Sequence, residues 1–290
     1  MKTVLLASLK AWINHRGASK GAALAFYTLF SMTPILVLAI AVAGYFFGAE
    51  AAQGKIIAQL QGTVGPNGAQ AVQALLAAAR NPASGLVATM VAGVLLLVGA
   101  TSVFVELKDS LDEMWGVPPH RHSAFLSLLR TRFLSFGLVL VLAFLLLASL
   151  VCGAAFAVLA RSVGGIWSSS VLVVFSSLLS LGVTACLFAV IYKMLPEAPL
   201  SWRDVWVGAV VTAGLFDLGK YAIGLYLGNS GVASSFGAAG SLIALLLWVY
   251  FSAQIFFLGA EFTRQYALSF GSLKSEDPMC AEKNDEDSGE

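Results

Sequence analysis

Asp217 and Lys220 stand three residues apart in GLFDLGKYAIGLYLG, a stretch that is otherwise almost entirely apolar or small. At this spacing on a helix the carboxylate and the ammonium can meet on one face, with Tyr221, Gly224 and Gly228 close to the same stripe. If the helix enters lipid at about Val205, Asp217 lies roughly 18 Å deep by the rise per residue. A charge at mid-bilayer costs about 2.5–3.5 kcal/mol even on the lenient insertion scale, so an inward-facing pair is expected. Such a pair either braces two helices or lines a polar cavity that meets a polar head group. Glu106, Glu261 and Arg264 make a second set, at the ends of apolar stretches. They read as structural anchors to basic groups such as Arg16, Lys20, Arg130 or Arg132, or as a polar vestibule open to the cytoplasm.

Two further features depart from plain apolar helix. Pro34 has no N–H for the Phe30 carbonyl, so a kink is expected near Tyr27 and Thr28. Ser31, Thr33 or a neighbouring helix would then serve the freed carbonyl. The segment GNSGVASSFGAAGS, from Gly228 to Ser241, carries no charge and includes Gly237 and Gly240. So small a joint either turns outside the bilayer or dips back into it, where bare backbone N–H groups hold polar ligand atoms.

Other chemistries lack their residues. His120 and His122 form a His-x-His with no partner cluster at ligand spacing, so neither a metal nor another cofactor is expected. Asp109, Asp112 and Glu113 are better explained by a solvated helix than by Mg²⁺. The chain has no GxxxxGK[ST] loop, GxSxG elbow or HExxH pair, and an enzyme is not expected. Cys152, Cys186 and Cys280 are too few for a disulfide framework. The basic clusters are short and juxtamembrane, which argues against nucleic acid as a partner.

The elements that must position these residues are long apolar segments at about 24–47, 85–106, 132–159, 167–192, 205–227 and 240–262. Each reaches the ~20 residues that cross a ~30 Å hydrocarbon core. The composition is 58% hydrophobic and only 11% charged, with mean hydropathy +0.84. Soluble domains carry about 25% charged residues, so water is not the main solvent here. Lysines and arginines concentrate at the termini and in alternate joints, leaving Lys55, Arg80 and Arg161 on the other side. By the positive-inside rule both termini are cytoplasmic, which agrees with six crossings. The expected fold is therefore all-α: a polytopic membrane protein with six transmembrane helices, cytoplasmic termini and an external amphipathic helical hairpin.

Three regions follow. Residues 1–20 form a cytoplasmic amphipathic helix, with Val4, Leu5, Leu9, Trp12 and Ile13 beside Lys2, Lys10, Arg16 and Lys20. It either lies on the membrane surface or packs on other cytoplasmic segments. Residues 21–268 form the membrane domain; its first apolar stretch far exceeds the ~7–15 residues of a signal peptide and stays as a span. An external insert at about 48–84 places amphipathic stretches on either side of a GTVGPNG turn, as a structural cap or a lid. Residues 269–290 form an acidic tail expected to be disordered.

ALAFYTLFSMTP in the first span, Tyr192–Lys193–Met194–Leu195–Pro196, and SFGAAGSLIALLLWVYFSAQIFFLGAEFTRQYA near the end resemble the YihY/BrkB family of bacterial inner-membrane proteins. The resemblance runs from about Leu5 to Leu268. Residues matching the recurrent motifs are Tyr27, Pro34, Pro196, Gly219, Lys220, Gly237, Gly240, Tyr250, Gly259 and Glu261. It implies six spans with cytoplasmic termini in the bacterial inner membrane. Some members are associated with serum resistance or envelope lipid handling, and the family once carried a ribonuclease BN label. Together with the residues above, the expectation is a transporter or flippase-like protein for a lipid or amphipathic envelope component. Its candidate pathway residues are Asp217, Lys220, Tyr221, Tyr27, Pro34, Gly237 and Gly240. The alternative is a non-transporting scaffold with an envelope protein partner. Membrane lipids are the expected partners. Gly44 with Gly48, and Gly224 with Gly228, permit close helix packing within or between protomers, leaving a homo-oligomer open.

Overall fold

A computed structural model describes residues 2–79, 102–117, 169–198, 200–229 and 240–274. Every regular element among the described residues is helical. These are α1 (Lys2–Asn14), α2 (Gly17–Phe47), α3 (Ala49–Ala79), α4 (102–114), α5 (Ser169–Met194), α6 (Trp202–Asn229) and α7 (Gly240–Phe270). The segments Ser177–Met194, Trp202–Leu227 and Gly240–Phe270 are long and apolar enough to cross a membrane. The first expected span lies inside α2, and the fourth to sixth coincide with α5, α6 and α7. Most of the second and all of the third fall outside the described residues, as do Gly237, the histidine pair and residues 275–290.

The helix ends follow local chemistry. Arg16 takes a left-handed conformation (φ 53°) between α1 and α2, and Gly48 (φ 84°) separates α2 from α3. Glycine adopts that geometry without a Cβ penalty; arginine does so at some cost. At the end of α4 the Val117 N–H bonds the Asp112 carbonyl and the Gly116 N–H bonds the Glu113 carbonyl. With Gly116 at φ 71°, this is a Schellman ending. Ser201 caps α6, its hydroxyl accepting the Arg203 N–H at 3.4 Å.

The chain forms two compact units. One comprises Met1–His15, Lys108–Asp217 and Phe257–Glu290; the other comprises Arg16–Leu107 and Leu218–Phe256. In the second, α2 and α3 pack together. Ala71, Val72, Leu76 and Leu245 are buried there against Leu29, Met32, Ile56, Leu60 and Leu242. Another cluster joins Ile223, Leu227 and Ala244 to Trp248 and Phe251.

This packing corrects the expected hairpin. Instead of turning at GTVGPNG, α3 runs unbroken from Ala49 to Ala79 with Pro66 inside it. A proline removes one helical bond, here to the Gly62 carbonyl, and its ring crowds that residue. Ile56 and Leu60 before Pro66 and Ala71, Val72 and Leu76 after it reach the same cluster from this one helix. Position 34 also lies within continuous helix. Ser31 donates its one hydroxyl proton to the Thr28 carbonyl at 3.1 Å, so it is not the group that serves Phe30.

In the first unit, Tyr192, Leu111, Met114 and Phe257 are fully enclosed. Trp115 meets Tyr192 edge-on and Phe188 stacks on Tyr192, while Lys193 donates to the Leu200 carbonyl and closes the loop beyond α5. Asp204 is buried and accepts both the backbone N–H (2.8 Å) and the hydroxyl (2.7 Å) of Ser272, tying the start of α6 to the end of α7.

Lys108 bonds Asp112 at 2.6 Å and lies 3.5 Å from Glu197. Burial alone would lower its pKa, but the hydrogen bond and charge of Asp112, with Glu197, outweigh it and hold the ammonium above the ordinary 10.5. A raised lysine pKa stabilises fully below the unfolded value and ceases to do so as pH rises through the folded one. Lys108→Met is therefore expected to cost about 0.5–1 kcal/mol, the upper part of the range for surface ion pairs, because this one is partly shielded from water. Thermal unfolding should show that deficit constant across neutral pH and shrinking only above 10.5.

Candidate functional site

Two helices carry most of the candidate residues, and their contact is unusually close. Gly208 of α6 faces Thr263 of α7, and Gly259 of α7 faces Thr212 of α6. The numbering rises along one helix as it falls along the other, so the two run antiparallel here. Each threonine returns its hydroxyl proton to the glycine carbonyl four residues earlier: Thr212 to Gly208 at 2.7 Å and Thr263 to Gly259 at 2.8 Å. The hydroxyls are thereby satisfied without water, and each side chain fills the hollow left by the opposite glycine. Small residues at four-residue spacing are a common way for helices to approach in lipid, where no hydrophobic drive separates helix from solvent. Tyr192 joins from α5, its hydroxyl donating to Thr212 at 3.3 Å.

Next to this interlock lies a buried carboxylate. Glu261 is 0% exposed, and its Oε1 stands 2.5 Å from Nδ1 of His15, whose side chain is 27% exposed. The Trp115 indole N–H bonds the adjacent Ala260 carbonyl at 3.2 Å. Arg264 lies one turn on, its guanidinium over Gly116 at the carbonyl end of α4, where a cation is favoured. Glu261 is twenty-one residues into α7, roughly 32 Å along its axis, which is about the depth of the hydrocarbon core. It therefore suits the edge of lipid, where a buried acid can keep a polar partner.

A hydrogen bond to a charged group contributes about 1.5–3 kcal/mol. His15→Ala is accordingly expected to lower the thermal midpoint in detergent. Adding Glu261→Gln should recover part of that loss, because a neutral amide tolerates burial better than a carboxylate. No recovery in the double variant would mean that the imidazole acts by packing alone.

The predicted residues are distributed unevenly. Asp217 and Lys220 both sit on α6 in partly buried positions, whereas Leu218 and Tyr221 are 66% and 69% exposed. Lys220 falls on the stripe that buries Val205, Ala209, Ala213, Ile223 and Leu227, and Asp217 lies at its margin. Tyr221 faces away from that stripe. Tyr27 is half-buried on α2 with Phe26 edge-on, and Gly240 is buried at the start of α7. Glu261 and Arg264 share one unit, while Glu106 belongs to the other. A Cβ added at Gly48 or Gly224 would meet no neighbouring element within 4 Å, in contrast to Gly208 and Gly259. Among the described residues, no group of three or more His, Cys, Asp or Glu is placed to hold a metal ion.

Sequence reasoning passed over His15, Trp115 and both threonines. The signal available was a GxxxT repeated in successive spans, at Gly208–Thr212 and Gly259–Thr263.

The family model described as virulence factor BrkB matches residues 8–283. A UPF0761 membrane protein of Verminephrobacter eiseniae is 31% identical over 86% of this chain and 58% of its own length. One from Ralstonia nicotianae is 27% identical over 82% of this chain and 52% of its own length. One from Pseudoalteromonas atlantica is 24% identical over 90% of this chain and 85% of its own length. The chain thus spans a little over half the length of the first two relatives. No solved structure matches it. With span-length apolar helices and a family match over almost its whole length, the chain belongs to the BrkB family of membrane proteins.

Proposed function

We propose that this protein moves a lipid, or another amphipathic envelope component, across the bacterial inner membrane as a transporter or flippase-like carrier. Six crossings with both termini in the cytoplasm are the topology that the distribution of lysine and arginine favours. The observation that carries the reading is the placement of Lys220 on the packed stripe of α6, with Asp217 at its margin and apolar side chains on the open face. Ionisable groups inside spans face the bundle interior or a water-filled cavity and mark substrate or ion pathways. In this reading they meet a polar head group while the helix surfaces shelter acyl chains. No catalysis is involved.

The test is reconstitution of purified protein into vesicles with a head-group-labelled lipid, followed by chemical quenching of the outer leaflet. Inner-leaflet label should become accessible faster than in protein-free vesicles; equal rates overturn the proposal. A scaffold is the second reading, favoured by Gln70 and Gln73, exposed side by side on one face of α3. Because α3 also buries apolar residues, deleting it would damage the fold, and Gln70→Arg with Gln73→Glu is the cleaner probe. Loss of a co-purifying envelope protein with lipid movement intact would favour the scaffold.

A further inference from the structure

α1 presents two different faces. Val4 and Ser8 are buried, the Ser8 hydroxyl is satisfied by the Val4 carbonyl at 2.7 Å, and His15 just beyond the helix is fixed to Glu261. On the other side Leu5, Leu6, Leu9 and Ile13 are 52%, 69%, 46% and 62% exposed. Lys2, Lys10 and Arg16 are exposed beside them, and no acidic residue occurs before Glu50.

We propose that α1 lies in the plane of the membrane and binds an anionic phospholipid surface. At thirteen residues it is about 20 Å long, too short to cross a ~30 Å core. Its end is held at Glu261, at the level where α7 has covered the thickness of the hydrocarbon. An exposed apolar stripe flanked only by basic groups matches a leaflet that offers apolar depth and negative charge together. A protein groove would need both an apolar floor and acidic walls to do the same. This inference is independent of whether the protein moves lipid.

The experiment uses the full chain in lipid nanodiscs, with Cys152, Cys186 and Cys280 replaced and a nitroxide placed at Leu9→Cys or Asn14→Cys. These positions lie roughly 140° apart round the helix. In discs containing anionic phospholipid, the label at Leu9 should be reached by oxygen and not by a water-soluble nickel chelate, with the reverse at Asn14. Chelate access at Leu9 overturns the proposal, as does shielding from both reagents, the mark of a protein cover. Lys2→Gln and Lys10→Gln should each lower the ratio of attached to detached label about fivefold in those discs. An unchanged ratio in the double variant, or the same ratio in purely zwitterionic discs, overturns the anionic preference.

Discussion

Gly208→Ala is expected to be among the most damaging single methyl additions in the molecule, and Gly259→Ala its equal. A Cβ at Gly208 would meet Thr263 Oγ1 at 1.9 Å and Cβ at 2.7 Å; at Gly259 it would meet Thr212 Oγ1 at 2.1 Å and Cβ at 2.8 Å. Threonine is stiff at χ1 in a helix, and its Cβ is fixed by the backbone, so the neighbour cannot swing aside. The helices must separate, and the enclosed Tyr192, bonded to Thr212, would lose contacts with them. Overpacking of this kind costs about 1–3 kcal/mol and occasionally more; the upper end is expected. Unfolding in detergent should show it, together with its signature in a double-mutant cycle. Thr263→Gly alone should cost about 1–2 kcal/mol, yet because it removes the clashing Cβ along with Oγ1 it should restore much of the stability lost in Gly208→Ala. A Gly208→Ala protein as stable as the parent would mean that the close approach does not exist.

Lys220→Met and Asp217→Asn are expected to slow lipid movement in vesicles while leaving the protein folded. A charge-assisted contact with a head group is worth about 1.5–3 kcal/mol, so losing it corresponds to about a ten- to hundredfold fall in rate. Lys220→Met should have the larger effect, because Lys220 lies on the packed stripe and Asp217 at its margin. Tyr221→Phe, on the open face, should change little. Normal rates in both charge variants, with folding unchanged, would remove these residues from any pathway. A Tyr221→Phe defect as large as theirs would move the route to the open face of α6.

The helices were legible because lipid demands a simple pattern. Runs of about twenty apolar residues located α5, α6 and α7, with Lys193 at the end of α5 and Arg203 at the start of α6. α3 was not read correctly, because GTVGPNG carries every local mark of a turn. The helix continues through Pro66, with residues from both halves packed in one cluster with α2 and α7, a tertiary arrangement that no window of sequence contains. Glu261 was visible as an acid at a span's end, but its partner was not among the basic groups considered. His15 is 246 positions away, and nothing local links the two. The Gly–Thr interlock was written in both helices as GxxxT, yet the pairing of these repeats appears only when the helices are seen antiparallel. Gly224 and Gly228 offered the same spacing, yet a Cβ added at Gly224 would meet no neighbouring element within 4 Å. Spacing therefore nominates close contacts without choosing among them.

The most direct measurement of the central claim is an experimental density map of the protein in nanodiscs of native inner-membrane lipid. Head-group density within hydrogen-bond reach of Lys220 or Asp217, with acyl density leading from it, is the expected result. Both side chains enclosed by protein, with no lipid or hollow beside them, would contradict it.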